Sequence, residues 1–301
     1  MRVDFTSPFW LLGEGSNCIF VDDFNGTVAV NRLQGISIEE TSDAWQLTVA
    51  SGENWHSLVT TCLAKGIYGF ENLALIPGTV GAAPIQNIGA YGREVAEFID
   101  AVDVYDMAQQ KRFRLCQAEC DFGYRDSVFK RAEHQSWFIE QVVFQLPKQN
   151  VLATHYGELS RLQNPTPQSI YDAVIAIRQQ KLPDPRQLGN AGSFFKNPVI
   201  SRAHFEQIQQ TFGDIPHYPV GDTQVKVPAA WLIDQSGFKG KALGGTACHQ
   251  HQPLVLVNQG GATGSDLLGL ARDIRDTISE RFSIVLENEV RLIGKEGLLA
   301  L

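Results

Sequence analysis

Apolar residues recur along this chain in two periods. Phe9–Leu12 and Cys18–Val21 are short apolar runs separated by Gly13-Glu14-Gly15-Ser16-Asn17, which predicts strand, turn, strand in a hairpin-like or crossover arrangement. Thr27–Asn31 and Trp45–Ala50 alternate as further strands. The period then changes: Trp55, Leu58, Val59, Cys62 and Leu63 predict a helix over Asn54–Lys65, closed by Gly66. Val102–Tyr105, Arg112–Leu115 and Trp137–Leu146 predict an antiparallel sheet. Ser169–Gln180 predicts a helix with Ile170, Val174 and Ile177 on one face, stopped by Leu182-Pro-Asp-Pro185. Helices follow over Ser201–Phe212 and Ala229–Gln235, then a buried strand at Pro253–Asn258. A long helix capped by Ser265 turns Leu268, Ala271, Ile274 and Ile278 inward, and Ile284–Glu287 with Glu289–Ile293 predict a closing strand pair.

One stretch has neither period. Leu75–Gly92 reads LIPGTVGAAPIQNIGAYG, without a charge and almost without large side chains before Tyr91. Gly78, Gly81, Gly89 and Gly92 permit close backbone approach and positive φ, Pro77 and Pro84 stiffen the loop, and Gln86 and Asn87 add amide groups. Successive N–H groups in such a loop form a nest for phosphate, which suits the floor of a nucleotide-cofactor site. A tight loop between closely packed layers has the same composition.

Length and charge narrow the classes. At 301 residues the chain is at the limit of a single core, and Gln149–Asn164 reads as the change of domain. A net charge of -8 argues against a nucleic-acid footprint but leaves room for a local cationic pocket. No apolar run reaches the ~20 residues of a membrane span, and Met1–Trp10 lacks the pattern of a secretory leader. Five cysteines, an odd number, fit reduced thiols in the cytoplasm. Cys116 and Cys120 have no second pair to complete a zinc site, and Cys248, His249 and His251 lack further ligands, so no metal is expected.

Other residues carry possible chemistry. Asp121–Ser127 places Tyr124, Arg125 and Asp126 side by side; Arg125 can grip a carboxylate with two N–H groups, or simply pair with the aspartate at the surface. His155-Tyr156-Gly157 is a turn with an aromatic tip. Arg178 and Lys181 end a helix, where the dipole alone would favour them. Gly189–Pro198 leads small residues into a lone hydroxyl, Ser193, with no hydrolase elbow around it. Glu289 and Arg291 are two apart in an extended segment.

Taken in order, LGEGSN, IPG-x-VGAAPIQNIGAYG, FGYRDS, GNAGSFFKNP and LE-x-EVR closely resemble the UDP-N-acetylenolpyruvoylglucosamine reductases, the MurB family of bacterial cell-wall synthesis, from about Leu11 to Ile293. HYGEL at His155–Leu159 resembles the tyrosine loop of its longer, type I branch. The resemblance implies an α+β fold: a two-part FAD-binding domain of the vanillyl-alcohol-oxidase type over 1–149 and a smaller substrate domain over 150–301. Family members carry an earlier segment with an asparagine-threonine-phenylalanine-glycine signature, so the first domain is expected to be incomplete at its start. The implied reaction reduces the enolpyruvyl ether of UDP-N-acetylglucosamine to UDP-N-acetylmuramate, with NADPH as reductant and non-covalent FAD, in a cytoplasmic monomer.

The resemblance also implies roles. Arg125, Ser193 and Glu289 take the catalytic positions. Gly13, Glu14, Gly15, Ser16, Asn17, Pro77, Gly78, Thr79, Gly81, Ala82, Ile85, Gln86, Asn87, Gly89, Tyr91 and Arg291 face FAD. Tyr124, Tyr156, Arg178, Lys181, Lys196, Asn197 and Gln252 lie around substrate or NADPH phosphate. On this view hydride reaches C3 of an electron-poor alkene, Arg125 stabilises charge building on the carboxylate, Glu289 polarises that carboxylate if it carries a proton, and Ser193 protonates C2. Another flavoprotein of the same superfamily, such as a hydroxy-acid oxidase, would keep the glycine-rich loop but has no reason to keep Arg125, Ser193 and Glu289 together. A non-catalytic UDP-sugar-binding protein would lack flavin.

Overall fold

The computed structural model describes residues 7–301; Met1–Thr6, part of the stretch read for a leader, lie outside them. The chain forms two compact units. The first comprises residues up to Ser16 together with Gly26–Arg178, and the second Asn17–Asn25 with Gln179–Leu301.

The first unit is built on a five-stranded antiparallel sheet in the order Ile36–Glu40, Ala44–Ala50, Trp137–Pro147, Ile99–Asp106, Lys111–Cys116. The last three are the predicted antiparallel strands. Ile36–Glu40 escapes sequence reading because this edge strand is mostly solvent-exposed and has only two apolar residues. Leu47, Val49, Val102, Val142, Phe144 and Leu146 pack into one core with helix α1, Trp55–Ala64, which contributes Trp55, Leu58, Val59 and Cys62. The Asn54 side chain accepts the Ser57 amide at 2.9 Å to start this helix, and Gly66 at φ 74 follows its end. Trp55 packs on Phe70 at 5.1 Å and donates its indole N–H to the Leu73 carbonyl at 2.9 Å, which fixes the approach to the glycine-rich loop.

Helix α2, Pro167–Lys181, buries Ile170 and Val174 in the same core. The first unit therefore continues past the compositional change at Gln149–Asn164. Phe9–Leu12 pairs in parallel with Thr27–Val30, whereas Cys18–Phe20 pairs in parallel with Arg291–Ile293. Of the two arrangements expected for Gly13–Asn17, the crossover is the observed one.

The second unit holds a four-stranded sheet in the order Asn190–Ser193, Val255–Asn258, Thr246–Cys248, Ala242–Leu243. Around its core lie α3 (Arg202–Phe212), α4 (Ala229–Gln235) and α5 (Gly264–Phe282). The cap of α5 is Thr263, not Ser265. Thr263 accepts the Asp266 amide at 3.1 Å and Asp266 accepts the Thr263 amide at 3.0 Å, a reciprocal pair that Ser265 cannot make from inside the helix. Ile284–Glu287 is not a strand. Ile284 and Leu286 alternate inward as expected, but the Glu287 carbonyl accepts the Lys196 amide instead of a partner on the chain after it. Arg291–Ile293 alone is laddered there, to Cys18–Phe20 and Leu298–Leu299.

All five cysteines are free, and burial pushes the thiols of Cys62, Cys120 and Cys248 up to about 12, so these three stay protonated and unreactive.

Candidate active site

In the first unit, Gly13–Ser16 and Gly78–Thr79 lie against one another. A Cβ on Gly13 would stand 2.7 Å from Thr79 Oγ1, and one on Gly78, at φ +114, would stand 2.9 Å from Ser16 Oγ. Glu14 ties the two stretches together: its carboxylate accepts the Asn54 side-chain amide at 2.6 Å and the Gly78 amide at 3.1 Å. Two hydroxyls and glycine backbone, tied together by Glu14, make a cradle that suits a diphosphate. Gly81 has a different reason to be glycine. Its Cβ would stand 2.4 Å from Ser51 Cβ, and its amide donates to the Ser51 carbonyl at 2.8 Å. Packing, not ligand approach, accounts for that residue.

Arg125 sits in a tight Gly123–Asp126 turn at φ 54, a left-handed conformation unusual for a side chain this large. Its Nη2 donates to the Gly89 carbonyl at 2.9 Å and its guanidinium lies 5.5 Å from the Tyr124 ring. The turn is closed by backbone bonds in both directions, from the Gly123 amide to the Asp126 carbonyl at 3.0 Å and from the Asp126 amide to the Gly123 carbonyl at 3.2 Å. Asn87 holds this turn in place. Buried at φ 43, it donates to Glu94 at 2.8 Å and to the Gly123 carbonyl at 3.1 Å, and accepts the Ala96 amide at 3.0 Å. The Ile85 carbonyl accepts the Ser127 hydroxyl at 2.6 Å.

Tyr91 follows at φ 49. Burial pushes its phenol above the usual range, against the pull of Arg178. Tyr156 meets it edge-on at 6.4 Å, and a Cβ on Gly92 would press on His155 at 3.2 Å, so the tyrosine loop rests on a glycine. Asn72, fully buried, donates to the carbonyls of Tyr91 at 2.9 Å and Ala153 at 2.8 Å. Arg178 is half-buried; desolvation and the nearby Arg125 charge lower its pKa, Tyr91 opposes this, and its Nε is buried without a partner among the described residues. Two guanidinium groups that repel one another form a site that favours an anion.

In the second unit, Ser193 ends the strand Asn190–Ser193 just after Gly192 at φ +76. The neighbouring segment is pinned to it: the Glu289 amide donates to the Phe194 carbonyl at 2.7 Å and the Lys196 amide to the Glu287 carbonyl at 2.9 Å. Ser193 and Glu289 thus stand on adjoining paired segments. Asn17 is part of this arrangement. Its side chain donates to the Glu289 carbonyl at 3.3 Å and its own carbonyl accepts the Arg291 amide at 3.0 Å. Burial lowers the pKa of half-buried Arg291. Lys196 pairs with Glu287 at 2.9 Å, and the Asn197 side chain accepts the Ala229 amide at 2.9 Å at the start of α4. Gln252 lies in the turn before Val255, its amide bonded to His249 Nδ1 at 3.2 Å. Lys181 is exposed at the end of α2.

A UDP-N-acetylenolpyruvoylglucosamine reductase C-terminal domain matches residues 184–293, and an FAD binding domain matches residues 4–114. The proteins of that name from Pseudoalteromonas atlantica and Idiomarina loihiensis are 53% and 49% identical to this chain, over 96% and 100% of it and 84% and 90% of their own lengths. This chain belongs to the UDP-N-acetylenolpyruvoylglucosamine reductase family. The crystal structure of the MurB reductase from Thermus caldophilus matches 95% of the chain, with 85% of its own covered, at a TM-score of 0.64 and 24% identity, a likeness of fold. The two-part α+β architecture expected from the resemblance is the one found.

Some residues that hold the candidate site in place carry no mark in the sequence. His56, Asn72 and the support given by Asn87 are visible only once their bonds to distant backbone are seen.

Proposed function

We propose that this chain reduces the enolpyruvyl ether of UDP-N-acetylglucosamine to UDP-N-acetylmuramate, using NADPH and a non-covalent FAD, as a cytoplasmic monomer. Among the described residues no helix is long and apolar enough to cross a membrane. The observation that carries the reading is that each proposed catalytic group is held by structure independent of any ligand. Arg125 is fixed in a left-handed turn, and Ser193 and Glu289 are fixed on paired segments.

FAD, when bound, carries hydride from NADPH to the alkene. The cradle of Gly13–Ser16 and Gly78–Thr79 holds its diphosphate. Arg125 presents a guanidinium to the substrate carboxylate, where charge grows during the reaction. Glu289 hydrogen-bonds the same carboxylate, and Ser193 gives a proton to C2. Arg178, Lys181, Lys196, Tyr124, Tyr156 and Gln252 surround the anionic substrate and NADPH phosphates. Asn197 belongs with them through its amide N–H, its oxygen being held by α4.

The test is direct. The purified chain should show a flavin absorption band that NADPH bleaches and the enolpyruvyl substrate restores, with UDP-N-acetylmuramate as product. A flavin band that recovers with oxygen and ignores the substrate would point to an oxidase. Tight UDP-sugar binding without flavin would point to a non-catalytic binder.

A further inference from the structure

We propose that His56 is a positioning residue: its neutral imidazole latches the start of the glycine-rich loop, and protonation releases that loop and weakens FAD binding. This rests on the assignment of Gly78–Thr79 to the flavin cradle.

The latch is one hydrogen bond with a fixed direction. The Leu75 amide donates to His56 Nδ1 at 3.0 Å. Nδ1 must therefore carry a lone pair, which leaves the proton on Nε2. An imidazolium has N–H groups at both positions and offers the Leu75 amide nothing to bond. Leu75 is the residue at which the bond matters, because it stands at φ 58, a left-handed conformation that a leucine keeps only when its surroundings hold it. Ile76, Pro77 and Gly78 follow directly, and Gly78 carries the contact with Ser16 and the bonds to Glu14 and Trp55. Releasing Leu75 lets the backbone relax where the cradle begins.

The imidazole is held as firmly as the amide. It stacks on Tyr171 of α2, with ring centroids 5.9 Å apart and planes within 13°, and the Tyr171 hydroxyl bonds to Thr60 at 2.9 Å. The groups facing His56 are few. Helix α2 brings Tyr171 and the Arg178 guanidinium, its own helix α1 brings the Thr60 hydroxyl, and Leu73–Gly78 has no titratable side chain. Burial first, and the Arg178 charge second, lower its pKa from the usual 6.5. The folded protein therefore favours the neutral, bonded form. The latch is complete above pH 6.5 and is lost as pH falls through the lowered value. Arg178 stands among the groups proposed to surround the anionic substrate. An anion that neutralises its charge makes His56 easier to protonate, which couples the substrate pocket to the flavin loop.

The experiment measures FAD release from the full chain by flavin fluorescence between pH 5 and pH 8, with the protection factor of the Leu75 amide followed by hydrogen exchange. In the wild type the apparent Kd for FAD should rise about tenfold for each pH unit below the His56 midpoint. His56→Asn places an amide oxygen close to the position of Nδ1 and does not titrate, so it should retain FAD with a flatter acid limb. His56→Leu should bind FAD weakly at every pH and leave Leu75 unprotected. Arg178→Gln should move the midpoint upward. The same acid limb in wild type and His56→Asn, or an unchanged Leu75 protection factor in His56→Leu, would overturn the latch. Acid loss of Leu75 protection without any loss of FAD would overturn it too, and would place the error in the assignment of Gly78–Thr79 to the cradle.

Discussion

The two units hold their functional residues in different ways. In the first, Leu75, Asn87, Tyr91 and Arg125 all have left-handed backbone, and each is kept there by side-chain bonds or close packing from a distant part of the unit. In the second, Ser193 and Glu289 hang from backbone hydrogen bonds between paired segments, and Ser283 is the sole non-glycine residue with positive φ among those described. A geometry held by side chains is lost when one of them is removed. A geometry held by backbone survives side-chain substitution, which then reports on chemistry alone.

Four substitutions bear on that contrast. The largest effect is expected at Arg125. Arg125→Lys keeps a cation but loses the fork that reaches Gly89, and kcat should fall about 10²–10³-fold with a much smaller change in KM. Steady-state kinetics at saturating NADPH checks this, and equal changes in kcat and KM would remove Arg125 from the charge-stabilising role. Asn87→Ala is next. It takes a partner from the Gly123 carbonyl of the Arg125 turn, the Glu94 carboxylate and the Ala96 amide, all half-buried, and costs about 1–3 kcal/mol, read as a lower thermal midpoint with a fall in kcat. A stable Asn87→Ala enzyme of normal turnover would break the comparison on the first-unit side.

Asn197→Ala removes the acceptor at the start of α4 and should cost about 1 kcal/mol while leaving the Ser193–Glu289 pairing intact. The smallest effect is expected at Lys196. Its partner Glu287 has a side chain 73% exposed, and the backbone bond between the two residues is unaffected by the substitution. Lys196→Ala should change stability by under about 0.5 kcal/mol and raise KM for a phosphate-bearing substrate. A large loss of stability there would mean that side chains hold the second unit as well.

The same contrast governs how much was legible in the sequence. Helix α1 was readable because its period, its cap Asn54 and Gly66 agree within one short window. The three strands around Val104, Phe113 and Val142 were readable because each alternates along its own length. The edge strand Ile36–Glu40 was not, because it has little apolar surface to betray it. Ser265 looked like a cap because it precedes the apolar period, yet the Thr263–Asp266 pair two residues earlier decides the start.

The glycine-rich loop stood out at once, but composition does not say which neighbour excludes a Cβ. Gly78 faces Ser16 in the cradle, while Gly81 faces the wall at Ser51. Asn17 adjoins Gly13–Ser16 in sequence, and its bonds are to Glu289, 272 residues away, and to Arg291, which adjacency does not reveal. His56 and Asn72 were passed over because their partners, Leu75, Tyr91 and Ala153, are backbone groups 19 to 81 residues away.

In the proposed reaction, Ser193 and Glu289 act on the substrate after the flavin has been reduced. Anaerobic stopped-flow absorbance separates the two half-reactions. In Ser193→Ala and Glu289→Gln, NADPH should bleach the flavin band at close to the wild-type rate. Reoxidation by the enolpyruvyl substrate should then be slower by about 10²–10⁴-fold for the serine variant, and markedly slower for the glutamate variant. A defect confined to reduction by NADPH, with reoxidation at the wild-type rate, would contradict the assignment.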